Sequence, residues 1–138
     1  MAASLFIATA VQAAIPIQTW KQPSGTQVYL VESPAIPMVD VQIDFGAGSR
    51  RDPADKSGLA SVTAGMTSKG VLARGAEAAL DENALSEAWA DLGASFGASA
   101  GSDRMSFSLR TLTYPDLIAK AVKLAARQMG EPSFPEAV

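Results

Sequence analysis

Pro37-Met-Val-Asp-Val-Gln-Ile-Asp-Phe-Gly-Ala-Gly-Ser-Arg-Arg-Asp-Pro53, followed shortly by Ser57-Gly-Leu-Ala60, is the stretch whose reading decides the fold. From Met38 to Phe45 apolar and polar residues alternate. Val39, Val41, Ile43 and Phe45 share one face, and Asp40, Gln42 and Asp44 share the other, which is the two-residue period of a strand buried on one side. A glycine-rich, charged loop follows from Gly46 to Lys56. Ser57 then suits the cap of a helix running to about Lys69, with Gly70 as its stop. Leu59, Val62 and Met66 form the expected apolar stripe, and Gly65 inside the helix costs about 1 kcal/mol relative to Ala.

Upstream, Ile15 to Trp20 and Thr26 to Glu32 read as strands, and Gln22-Pro-Ser-Gly25 between them is turn chemistry, so a hairpin is expected. Downstream, Asp81 caps a second helix with Leu85, Trp89 and Leu92 at spacings of four and three, and Gly93 ends it. Ser95 to Ala100 and Arg104 to Thr111 read as a strand pair around the turn Gly101-Ser-Asp103, with Met105, Phe107 and Leu109 facing the core. Thr113-Tyr-Pro-Asp116 opens a long helix with a capping-box-like pair and Pro115 near its start. Ile118, Val122, Ala125 and Met129 line one face of it, and Gly130 and Pro132 stop it. The order βββ-α-α-ββ-α does not alternate as a doubly wound parallel sheet requires. It predicts an α+β fold, an antiparallel or mixed β-sheet with helices packed on one face.

Composition removes several classes of function. Of 138 residues, 48% are hydrophobic and 18% charged, too apolar for a disordered chain. Eleven basic residues face 14 acidic ones, with no Lys or Arg run to follow a phosphate backbone, so nucleic-acid binding is disfavoured. There is no Cys and no His, which removes disulfides, thiolate nucleophiles, imidazole metal ligands and the Ser-His-Asp triad. Residues 1–13 read as a secretory signal. Leu5 to Val11 is apolar and too short to span a bilayer, and Ala8-Thr-Ala10 and Val11-Gln-Ala13 suit a signal peptidase, although no basic residue precedes the run. That predicts an exported, periplasmic protein with no stable membrane span, whose remaining residues, 14–138, form one domain. Pro135-Glu136-Ala137 resembles the first turn of a helix and reads as a domain cut short.

The residues themselves offer little chemistry. Gly46-Ala-Gly48 lacks the Gly-Lys-Ser/Thr ending of a phosphate loop and reads as a surface turn. Asp40 and Asp44 are paired carboxylates on one strand face, better explained as solvent-facing polar residues. Arg50-Arg51-Asp52 reads as a solvated ion pair. Trp89 is expected in the core. Ser95, Ser99, Ser102, Ser106 and Ser108 share one strand region without a base or a nucleophile elbow to activate them.

Several segments, in order, resemble the N-terminal domain of the pitrilysin/insulinase metallopeptidases, the family that includes the mitochondrial processing peptidase. They are Gln27 to Glu32, Pro37 to Pro53, Ser57-Gly-Leu-Ala60 with Met66 and Lys69-Gly70, Leu92 to Ala100, Ser106 to Arg110, and Phe134-Pro-Glu136. The likeness runs from about Ile17 to the end. Active members carry an inverted zinc motif, His-x-x-Glu-His, on the helix after Gly-Leu-Ala. Two imidazoles there hold zinc, and the Glu activates the bound water. The matching positions here are Ser61, Ala64 and Gly65, and the family's third ligand falls near or past Val138. The resemblance therefore implies the fold and a non-catalytic member, with no metal or other cofactor in this chain.

Non-catalytic relatives pair with a catalytic, zinc-binding homologue, so a heterodimer that encloses and positions a peptide substrate is expected. In such families the substrate adds as a strand to an exposed sheet edge. The matching residues here are Ser95, Phe96, Gly97, Ala98, Ser99 and Ala100, whose small side chains permit close backbone approach. With no zinc site beside them, an ordinary edge strand kept for the fold is the preferred reading of these residues. The alternative role is a scaffold or peptide-binding module with no link to proteolysis.

Overall fold

A computed structural model describes residues 15–136. The segment read as a signal, residues 1–13, lies outside them. The chain divides into two compact units, with the boundary in sequence between Ile36 and Pro37.

The first unit is the expected hairpin. β1 (Ile17–Lys21) pairs antiparallel with β2 (Gln27–Val31), with Trp20 opposite Val28. The Gly25 N–H donates to the Gln22 carbonyl at 2.8 Å and closes the turn. Ile17, Trp20, Tyr29 and Val31 are exposed on it.

The second unit is built on a three-stranded antiparallel sheet in the order β3-β7-β6. These strands are Met38–Phe45 (β3), Met105–Leu112 (β7) and Ser95–Ala100 (β6). The register carries the alternation seen in β3 across the whole sheet. Val41 lies opposite Leu109 and Leu109 opposite Phe96, while Ile43, Phe107 and Ala98 form the next row. The other face is polar, with rows Asp40–Arg110–Ser95, Gln42–Ser108–Gly97 and Asp44–Ser106–Ser99.

Helices α2 (Glu82–Asp91) and α3 (Pro115–Gly130) pack on the apolar side. Asp81 caps α2 as expected, its Oδ1 accepting from the Ala84 N–H at 2.8 Å. Leu85 and Trp89 then point inward to join Val71, Leu109, Ala121 and Ala125 in the core. A file of rings runs through the sheet side of this core. Trp89 stacks on Phe96 at 5.5 Å, Phe96 on Phe107 at 5.9 Å, and Phe107 meets Phe45 edge-on at 5.8 Å. A fully buried side chain such as Leu85 contributes about 1.5–3 kcal/mol. A buried polar line ties three helices together. The Trp89 Nε1–H donates to Gln128 Oε1 at 2.8 Å, and Gln128 Nε2 donates to the Thr67 carbonyl at 3.1 Å.

Several expectations are corrected. Helix α1 spans Leu59–Met66, and Ser57 does not cap it. Asp52 does so from the preceding loop, its two carboxylate oxygens accepting from the Gly58 N–H at 2.9 Å and the Ala60 N–H at 3.0 Å. The expected stripe of α1 faces largely outward, with Leu59 45% and Val62 62% exposed. Small residues turn inward in its place, Ala64 and the following Thr67 being buried. On α3 the buried residues are Ala121, Ala125, Arg127 and Gln128, while Val122 is exposed. Its N-cap is Tyr114, with no side-chain hydrogen bond, so the capping box does not form. Pro135 and Glu136 belong to no helix, and the rest of that expected turn lies outside the described residues.

Two short strands escaped the sequence reading. β4 (Gly70–Val71) pairs with β5 (Leu80–Asp81). Gly70 is needed there, because a Cβ would sit 2.6 Å from the Leu80 carbonyl oxygen. The loop between them is clasped by Arg127, only 7% exposed, whose Nη2 donates to the carbonyls of Leu72, at 2.6 Å, and Ala78. Glu77 pairs with Lys123 and lies 3.8 Å from Arg127 Nε.

Candidate functional site

The positions singled out on α1 and in β6 are brought side by side, because α1 packs against β6. Of the three α1 positions, Ser61 and Gly65 lie one turn apart on the exposed side, and Ala64 turns into the core. Zinc requires nitrogen, thiolate or carboxylate donors. A hydroxyl, a methyl group and a glycine do not supply them, so these positions do not fit the ion. Among the described residues no three His, Cys, Asp or Glu side chains gather in a way that could hold a metal.

β6 lies at the edge of its sheet and pairs only with β7 among the described residues. Along its other edge, alternate N–H and C=O groups are free of any strand partner. Its side chains divide by face, Phe96, Ala98 and Ala100 with the core and Ser95, Gly97 and Ser99 with the polar rows.

The polar face is electrostatically settled. Arg110 grips Asp40 with two bonds, Nε to Oδ1 at 2.6 Å and Nη2 to Oδ2 at 3.0 Å. That guanidinium holds the Asp40 carboxyl below the usual carboxylate range and raises the Arg110 pKa in return. Asp44 accepts from the Ser106 hydroxyl at 2.6 Å and from Gln42 Nε2 at 3.0 Å, and these bonds, with Arg104 nearby, lower its pKa too. Carboxylates so engaged are poor proton acceptors, so the pair Asp40 and Asp44 makes no acid–base site. The Ser106 hydroxyl is spent on Asp44.

The loop after β3 does not hang free as a surface turn. Gly48 is buried, and the Ser49 and Arg50 N–H groups donate to the Gly101 and Ser102 carbonyls at 3.0 and 3.1 Å. A Cβ at Gly48 would meet the Ser102 oxygen at 2.5 Å, which explains the glycine. Arg50 pairs with Asp103 across the same contact at 2.7 Å. Asp52 departs from the solvated ion pair expected of it and is half-buried as the cap of α1. The loop thus fixes both the start of α1 and the β6–β7 turn.

One further surface was not foreseen. Val41, Ile43, Phe107 and Leu109 of the sheet face Val122 and Met129 of α3 across an open apolar groove of about 520 Å³. The alternation in β3 predicts that its apolar face is covered, yet Val41, Ile43 and Phe45 are exposed along it. No helix among the described residues is long and apolar enough to cross a membrane.

An edge strand lying against a helix, both carried by an antiparallel sheet backed by two helices, defines an α+β domain. More particularly, the chain has the pitrilysin-like, M16 peptidase-related fold. It is similar to the crystal structure of a peptidase M16 inactive domain from Pseudomonas fluorescens, with 36% identity, a TM-score of 0.77 and 87% of this chain matched to 27% of that one. A protease from Helicobacter pylori matches 89% of the chain with 28% of its own, at 20% identity and a TM-score of 0.69. Pitrilysin matches 89% with 13% of its own, at 24% identity and a TM-score of 0.62. The chain thus spans less than a third of each of these proteins. No family model and no curated protein matches it.

Proposed function

We propose that this chain is part of a non-catalytic member of the M16 peptidases, one that encloses and positions an extended peptide beside a catalytic homologue. The observation that carries the reading is the 36% identity to a domain described as inactive. The chemistry of α1 agrees with it. Ser61, Ala64 and Gly65 stand where the resemblance puts the zinc ligands and the base, and without those groups this chain polarises no carbonyl and activates no water. Its part is to bind. The free edge of β6, uncharged and flanked by small side chains, takes peptide main chain by strand addition, and the zinc belongs to the partner. The apolar start of the sequence fits export to the periplasm, where the pair would work.

The test is a pull-down of the tagged full-length protein from its host, with bound proteins identified and zinc measured. A zinc-loaded protein carrying His-x-x-Glu-His at near-equal stoichiometry supports the reading, and cleavage by the pair is then assayed. Absence of such a partner refutes it and leaves a scaffold or peptide-binding module. Zinc retained by this chain alone refutes the loss of the site.

A further inference from the structure

We draw no further inference here: the strongest candidate, the open apolar groove of about 520 Å³ between the sheet and α3, lined by Val41, Ile43, Phe107, Val122 and Met129, carries nothing, because nothing in the structure shows what covers it.

Discussion

Gln128 is the residue whose replacement best tests how the helices are held. It is 3% exposed and spends both ends of its amide, accepting from Trp89 at 2.8 Å and donating to the Thr67 carbonyl at 3.1 Å. Gln128→Met keeps the volume and removes both bonds, stranding a buried indole N–H and a buried carbonyl. Each stranded group costs about 1–3 kcal/mol, so a loss of roughly 2–5 kcal/mol is expected. Trp89→Phe removes the donor and some packing. In the double variant the stranded N–H is gone, so the two losses should fall short of additive by about 1–2 kcal/mol. Urea unfolding followed by far-UV circular dichroism gives all three numbers. A Gln128→Met loss below about 0.5 kcal/mol, the range of neutral surface changes, or strict additivity in the double variant, refutes the buried polar line as an element of stability.

The carboxyls of Asp40, Asp44 and Glu77 titrate below their ordinary values of 3.8 and 4.5 in the folded chain, so in acid the unfolded chain binds more protons. Their stabilisation is complete above those values and lost as the pH falls below them. Denaturant midpoints should therefore decline only on that acid limb, and less steeply in Asp40→Asn. Asp52→Ala frees two N–H groups at the start of α1 and should cost about 1–2 kcal/mol, with faster amide exchange at Gly58 and Ala60. Gly48→Ala forces a Cβ against the Ser102 carbonyl and should cost about 1–3 kcal/mol, displacing the resonances of Gly101 and Ser102 in an NMR spectrum.

Elements with a strong local signal were legible. The alternation of β3 and the small residues of β6 match the observed strands end to end, and Asp81 is the cap of α2. Where inward-facing residues are small or polar, the pattern misleads. The stripe drawn through Leu59, Val62 and Met66 assumes that the largest apolar groups face in, but the close packing of α1 favours Ala64 and Thr67. On α3, Val122 and Met129 line the open groove, and Arg127 and Gln128 occupy positions a hydrophobicity count assigns to solvent. The two-residue strands β4 and β5 are shorter than any periodicity can register, and the Asp52 cap acts from six and eight residues away. The candidate site in β6 was suggested only by the family resemblance. Nothing in the composition of Ser95–Ala100 says that the strand lies at an edge.

The clasp of Arg127 also sets an order of events. Its bonds to Leu72 and Ala78 reach back 55 and 49 residues, so they form only after α3 has been made and docked. Until then β4 and β5, two residues each, have too little of their own to hold the intervening loop against its chain entropy. Residues 72–78 therefore belong to the last part of the unit to order during folding and the first to open in the native state. Protease nicking and rapid amide exchange should start there while the three-stranded sheet is still intact.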